Sequence, residues 1–401
     1  MFDDKTMEEL LERFPLGFYV CDLQRFELNF SDFLSAFRRH YAATRLAYSY
    51  KTNYLPALCR RVDALGGYAE VVSGVEYQMA ERIGVTGGDI IFNGPYKTHE
   101  ELLTAARNGS IVNLECDYEI GLVEAILEEH PKLTLRAGLR CAVQLEPGSP
   151  SRFGFDVDSP DFTRRVERVR GIRGLELKGL HCHSLPPQRS ASNYGRIARR
   201  LAEMGREIWD SQGPAYIDMG GGFFSRMPPK MRSQFKEPAP SFEDYGAAIT
   251  APLLDVFGPE GGPELILEPG MAVVADALSF VCRVLECKNQ HGRRLALAAG
   301  SVYNIRPTKS PRNLPLRVIE ARRRGSAMPG PLDVVGYTCM EDDVLHRGLE
   351  TALSPGDVLV FENCGSYSLV LKPPFIQGNV PVLVPGADGR SFQVVRRAEA
   401  E

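Results

Sequence analysis

From about residue 45 to 270 the chain alternates short apolar runs with longer amphipathic stretches. Eight runs are strand-like: 46–50, 69–72, 90–92, 111–114, 133–137, 177–183, 215–219 and 265–268. Between them lie helix-like segments such as 55–65, 75–83, 100–106 and 194–204. Continuous apolar runs separated by helices predict parallel strands covered on both faces. Eight such units in roughly 230 residues suit a closed, TIM-like (β/α)8 barrel better than an open sheet. A doubly wound sheet is the structural alternative.

After about residue 275 the texture changes. The runs 277–286, 293–298, 332–337, 357–361 and 380–384 are short and β-rich. Pro and Gly punctuate them at Arg306-Pro307, Pro329-Gly330, Ser354-Pro355-Gly356 and Pro385-Gly386. This pattern predicts an antiparallel β domain. The run 17–23 is also strand-like and precedes the first barrel strand, so it is available to pair with that domain. The expected organisation is a barrel over 25–275 and a β domain built from 1–24 plus 276–401.

Composition supports two domains: 401 residues, 44% hydrophobic, are enough for two cores. A net charge of -4 leaves no overall basic field for nucleic acid or an anionic membrane. The run Arg322-Arg323-Arg324 reads as solvated surface. The N-terminal MFDDKTMEELLERF has no basic n-region and no apolar h-region, which argues against a secretory signal. Nowhere are 18 apolar residues consecutive, so no membrane span is expected. The nine cysteines are scattered, without a CxxC pair. That pattern fits free thiols in a reducing cytoplasm.

Chemistry in such a barrel sits at the C-terminal ends of the strands. The first ends Ala47-Tyr48-Ser49-Tyr50-Lys51-Thr52-Asn53. Lys51 is either a lysine for covalent carbonyl chemistry or a surface residue just past a strand. The sixth ends His181-Cys182-His183, whose alternation puts both imidazoles on one face. They read as a metal pair, as a ring stacked on a flat cofactor, or as packed core histidines. No carboxylate or further His stands at a helpful spacing, so no metal site is expected. The seventh ends Asp218-Met219-Gly220-Gly221-Gly222, where glycines allow backbone N–H groups close to a phosphate. The eighth ends Leu267-Glu268-Pro269-Gly270. A phosphate held between the loops after strands seven and eight is a recurring barrel arrangement. In the β domain, Cys339 lies among acids in TCMEDD, which disfavours a thiolate and suits a neutral thiol that donates a proton. This segment and the later FENCGSY also read as β turns.

Taken in order, AYSYKTN, HCH, GGG, EPG, TCMEDD and FENCGSY resemble the fold-type III pyridoxal-phosphate decarboxylases, the ornithine and diaminopimelate decarboxylase group. EVVSGVE and NGPYK extend the resemblance, which runs from about Phe18 to the C-terminus. It implies an alanine racemase-like barrel followed by a β domain, pyridoxal 5'-phosphate as cofactor, and a head-to-tail homodimer with shared active sites. Lys51 then carries the cofactor as a Schiff base, and His183 stacks on its ring. The backbone of Gly221, Gly222 and the turn 268–271, including Gly270, holds the phosphate together with the Tyr367 hydroxyl. Glu268 pairs with the pyridine nitrogen and keeps it protonated, which favours decarboxylation over racemisation. Cys339, from the other subunit, returns a proton to the carbanion. Glu70 and Arg140 are further candidates near the cofactor, and Arg306, Cys339 and Tyr367 are expected to contact substrate.

Departures from the group's pattern bear on the substrate. Met271 replaces the usual arginine after Glu-Pro-Gly, and His183-Ser184-Leu185-Pro186 replaces His-x-Gly-Ser. Cys339-Met340-Glu341 stands where diaminopimelate decarboxylases carry Cys-Glu-Ser, so the glutamate that grips a distal amine is lost or shifted by one, to Glu341. Ala299 stands near the place of the acid in ornithine decarboxylases. Arg306, in Asn304-Ile305-Arg306-Pro307, aligns with an arginine that binds a distal carboxylate. It reads otherwise as a surface cation. The expectation is a substrate with a distal carboxylate, such as a siderophore-type citryl-diaminopropionate conjugate. The alternatives are a diaminopimelate-like decarboxylase of primary metabolism, a racemase or epimerase on the same fold, a regulator without cofactor, and a metal-dependent hydrolase.

Overall fold

The computed structural model describes residues 2–146, 151–184, 189–259, 261–321, 326–372 and 374–398. Arg322, Arg323 and Arg324, and the Leu185-Pro186 pair, lie outside the described residues. The chain divides into two compact units. One comprises Phe30–Phe224 and Ala239–Ala272; the other comprises Met1–Asn29, Ser225–Pro238 and Val273–Glu401. The segment Ser225–Pro238, inside the stretch expected of the barrel, thus groups with the β-rich unit.

Numbered in chain order, β1 (Phe18–Cys21) belongs to the β unit, and the next nine strands to the barrel unit. These are β2 (Thr44–Ser49), β3 (Tyr68–Val71), β4 (Ile90–Phe92), β5 (Ile111–Leu114), β6 (Leu135–Ala142), β7 (Phe155–Asp156), β8 (Leu175–His181), β9 (Tyr216–Asp218) and β10 (Glu264–Leu267). The parallel order β2-β3-β4-β5-β6-β8-β9-β10 closes on itself, because β10 pairs with β2 and β5 with β6. This is the expected eight-stranded barrel. The two-residue β7 lies outside the ring, beside Cys141 and Ala142 of β6. Every residue of β3, β4, β5 and β9 is buried, which is why these strands read as continuous apolar runs rather than alternations.

The barrel interior packs Ala47, Tyr68, Ile91, Ile111, Tyr216 and Ile266 together. Tyr216 is too large for a uniform layer, and two glycines make room for it. A Cβ on Gly179 would lie 2.5 Å from Cε2 of Tyr216, and one on Gly138 would meet its hydroxyl. This corrects one expectation. The fifth barrel strand does not stop at 137 but runs on through Arg140 to Ala142. Gly138 looks like a break in sequence, yet it is a packing slot within a strand.

The helices that cover the barrel carry local signals at their ends. The helix Gly74–Ile83 starts at Ser73, whose hydroxyl accepts the Glu76 N–H, and stops at left-handed Gly84. The helix His99–Asn108 has a reciprocal capping box between Thr98 and Glu101 and stops at Gly109. Among the described residues no helix is long and apolar enough to cross a membrane.

The β unit holds β1 and eight later strands. They are β11 (Leu278–Gln290), β12 (Arg293–Ala298), β13 (Leu316–Ile319), β14 (Leu332–Val335), β15 (Val344–Leu349), β16 (Val358–Phe361), β17 (Val382–Pro385) and β18 (Phe392–Arg396). The N-terminal strand does join this sheet, antiparallel to β11 and parallel to β17. Pairing is mainly antiparallel, with β12–β14 as a second parallel contact. A parallel neighbour needs a long connection, and the stretch between β12 and β14 supplies one. Phe2, Met7, Leu10 and Leu11 of the N-terminal segment pack with Phe18, Val281 and Val360 in the core of this unit.

Candidate active site

Lys51 occupies a single 3-10 turn, Tyr50–Thr52, directly after β2. Its Nζ lies 2.5 Å from Oε2 of Glu70, a fully buried acid on neighbouring β3. Glu70 also accepts from the Ser49 hydroxyl and from Asn93 Nδ2, the latter at 3.0 Å. Lys51 is therefore held by an ion pair at the mouth of the barrel, with its side chain 30% exposed. A lysine loosely placed beyond a strand end would show no such partner.

Glu268 follows β10 and is almost completely buried. Its Oε2 lies 3.1 Å from His183 Nδ1, and its Oε1 lies 3.5 Å from His181 Nε2. Burial pushes this carboxyl up, but His181, His183 and Lys51 outweigh burial and hold it well below the usual carboxylate range. Asp218, the last residue of β9, goes the other way. Burial and the charge of Glu268 push it well above that range, although Gly220 N–H donates to its Oδ1 at 2.9 Å. The two neighbouring acids are thus driven apart, Glu268 toward the ionised form and Asp218 toward the protonated one. Burial also pushes His181 below its ordinary value, against the pull of Glu268. Neither ring nitrogen of His181 has a hydrogen-bond partner among the described residues.

The loops after β9 and β10 are bound to each other. The Glu268 N–H donates to the Gly220 carbonyl at 2.8 Å, and Tyr194 OH donates to the Gly221 carbonyl at 2.9 Å. A Cβ on Gly221 would come within 2.4 Å of the Glu268 carbonyl oxygen. One on Gly270 would collide with Thr52 Oγ1. Backbone rather than side chain faces whatever enters between these loops, and Gly222 keeps a φ of 91°.

Lys51, Glu70, Asn93, Arg140, His183 and Glu268 line a cavity of about 640 Å³. Arg140, at the level where β6 continues past Gly138, pairs with Glu115 at 2.6 Å and lies over the Phe153 ring at 4.7 Å. The fold therefore gathers Lys51, His183, Gly221, Gly222, Glu268 and Gly270 at one end of one barrel, with Glu70 and Arg140 beside them. Asn93, Asn113, Glu115 and Asp218 have no role in the sequence-based expectations. The signal for them is positional: Asn93 and Glu115 immediately follow the third and fourth barrel strands, Asn113 is the last residue but one of the fourth, and Asp218 ends the seventh.

Arg306, Cys339 and Tyr367 belong to the β unit. Cys339 is exposed in the turn before β15. Tyr367 is partly buried, with a φ of 66°. Arg306 is partly buried, and its Nε and Nη1 have no partner among the described residues. Its Nη2 has only a 3.5 Å contact with the Val344 carbonyl.

This arrangement fits pyridoxal phosphate. A lysine is held beside an acid, and a second acid is kept ionised under two imidazoles to meet a ring nitrogen. Two glycine-walled loops offer backbone to a phosphate. The donor atoms of His181, His183 and Glu268 also lie within 4.8 Å of one another, a spacing that would suit a metal ion. Fold and site together define the class of barrel enzymes that hold an aromatic aldehyde phosphate on a lysine. Within that class the chain belongs to the pyridoxal-dependent decarboxylases. The sequence model described as "Pyridoxal-dependent decarboxylase, pyridoxal binding domain" matches residues 27–275, more than half of the chain. It is a pyridoxal-phosphate-dependent carboxy-lyase of fold type III.

The chain is similar to diaminopimelate decarboxylases from Aquifex aeolicus (25% identity, 92% of this chain and 86% of the relative) and Methanocaldococcus jannaschii (26%, 90% and 84%). It is also similar to the L-glutamyl-[BtrI acyl-carrier protein] decarboxylase of Niallia circulans (24%, 98% and 94%). The crystal structure of diaminopimelate decarboxylase from M. jannaschii matches 98% of this chain and 92% of its own, with a TM-score of 0.85 at 22% identity. At that identity the likeness shows the fold.

Proposed function

We propose that the enzyme decarboxylates an amino acid, or an amino-acid conjugate, bearing a distal carboxylate, with a siderophore-type citryl-diaminopropionate as the model substrate. The observation that carries this is the Arg306 guanidinium, with Nε and Nη1 buried and unpaired. Burial and the charge of Arg347 both disfavour its cationic form. His346 close by is lowered to about 4, first by burial and then by Arg306 and Lys230, so it is neutral near pH 7. A partly buried cation with no acid beside it among the described residues is costly, and a substrate carboxylate supplies the missing charge in bidentate geometry. The relative that acts on a carrier-bound glutamyl group supports a conjugate as substrate.

Pyridoxal phosphate, when bound, supplies a protonated ring that takes up the electron pair freed at Cα as carbon dioxide leaves. Lys51 holds the cofactor's carbonyl carbon, and Glu70 orients the Lys51 amine. Glu268 holds a proton at the ring nitrogen, and His183 fixes the ring plane. The backbone of Gly221, Gly222 and Gly270, with the Tyr367 hydroxyl, binds the phosphate. Cys339, across a head-to-tail homodimer, delivers a proton to Cα after decarboxylation. A diaminopimelate substrate is the second reading, favoured by the names of the relatives. Met340, in place of an acid that would hold the distal amine, disfavours it. Glu268 at the ring nitrogen disfavours a racemase.

Two experiments test these assignments. Borohydride reduction of the loaded enzyme should fix the cofactor on Lys51; modification of any other residue refutes that role. A substrate panel should show turnover only where a distal carboxylate is present, and Arg306→Ala should raise KM for those substrates about tenfold or more, the worth of a charged hydrogen-bond pair. Best turnover of ornithine or lysine, unaffected by Arg306→Ala, refutes the substrate class.

A further inference from the structure

A hydrogen-bonded chain runs through the barrel interior beneath the cavity. Tyr216 OH donates to Asn113 Oδ1 at 2.8 Å. Asn113 Nδ2 donates to Asn93 Oδ1 at 2.8 Å. Asn93 Nδ2 then faces two acids at once, Glu70 Oε1 at 3.0 Å and Glu268 Oε1 at 2.5 Å. Tyr216, Asn113 and Asn93 are all buried. The direction of the chain is set at both ends. Carboxylate oxygens accept, and the Asn93 amide turns its N–H groups toward Glu70 and Glu268. Its oxygen must then receive a donor, which Asn113 provides, and Tyr216 in its glycine-lined slot satisfies the oxygen of Asn113.

We infer that Asn93 is a positioning residue that ties the acid facing Lys51 to the acid beside the two histidines and holds both as acceptors, with Tyr216 and Asn113 setting the direction of its amide. The inference rests on the assignment of Lys51 and Glu268 to the cofactor. A single amide thereby couples the two ends of the cofactor site, the carbonyl side and the ring-nitrogen side. The charged and titratable groups around the pair are Lys51, Glu76 and Asp218 near Glu70, and His181, His183, Asp218 and Lys51 near Glu268.

Asn93→Leu removes the donor at similar volume. Asn93→Asp keeps the shape but places a third acid between the two. Tyr216→Phe releases the far end of the chain. The readout is the acid-side transition of the visible absorbance band in the loaded enzyme, followed against pH. A carboxylate that loses a charge-assisted donor is protonated at higher pH. Asn93→Leu should therefore move the acid-side midpoint upward by about one pH unit, a tenfold change in the proton equilibrium. Asn93→Asp should move it further and Tyr216→Phe less, with the acid limb of kcat/KM following. If Asn93→Leu does not fold, the isosteric Asn93→Asp decides. Borohydride labelling of the unmodified enzyme elsewhere than Lys51 sinks the underlying assignment. Labelling at Lys51 in every variant, with coincident midpoints, sinks the inference about Asn93 alone.

Discussion

Replacing Glu268 by glutamine removes one charge and almost no volume. The site can accommodate the amide: Oε1 still accepts from Asn93, and the new NH2 faces His183 Nδ1, which lies 3.1 Å from Oε2 in the parent. What is lost is the anion that would hold a proton on the ring nitrogen. Hydrogen bonds to charged groups are worth about 1.5–3 kcal/mol. At about 1.36 kcal/mol per decade, Glu268→Gln should lower kcat/KM for decarboxylation about 10- to 150-fold. The assay is CO2 release, with the visible band of the loaded protein confirming that the cofactor is still bound. Asp218→Asn is the matched control. Burial and the charge of Glu268 push Asp218 toward its protonated form. An amide there keeps the Gly220 hydrogen bond and should change kcat/KM less than about threefold. If Glu268→Gln retains cofactor and stays within twofold of the parent, or if Asp218→Asn falls as far as Glu268→Gln, the division of the two acids into ionised and neutral is wrong.

Other outcomes follow from the same geometry. Gly221→Ala should lower cofactor affinity at least about tenfold by equilibrium dialysis, because its Cβ would press on the Glu268 carbonyl at 2.4 Å and displace the loop. Lys97 and Glu119 form a fully buried pair at 2.8 Å, so Lys97→Met should cost about 3–5 kcal/mol in urea denaturation. Lys97→Met with Glu119→Leu should recover part of that loss; a double variant no more stable than the single would contradict it. The ionised Glu268, with its pKa depressed in the fold, contributes stability that is present above its ordinary pKa and lost as pH falls through the depressed value. Glu268→Gln should accordingly lose less stability than the parent on acidification, measured as Tm against pH. Cys339→Ala should reduce kcat far more than KM if the thiol returns the proton.

The barrel was legible because each strand announces itself locally. Buried parallel strands such as Ile90–Phe92 and Ile111–Leu114 are short apolar blocks, and Gly84 and Gly109 mark where helices stop. Lys51 and Glu268 could be singled out because the residue after a strand end is a matter of counting. The run of motifs gave the family and its cofactor. Tertiary structure alone decided the rest. Gly138 breaks the pattern of its strand, and only the presence of Tyr216 on β9 shows the gap to be filled. Asn93 acquires meaning only when strands far apart in sequence bring Glu70, Asn113 and Glu268 around one amide. Asp218 and Glu268 are two unremarkable carboxyls in the sequence. Burial and the charge of Glu268 push Asp218 up, while His181, His183 and Lys51 hold Glu268 down, and these depend on positions in space rather than on spacing along the chain.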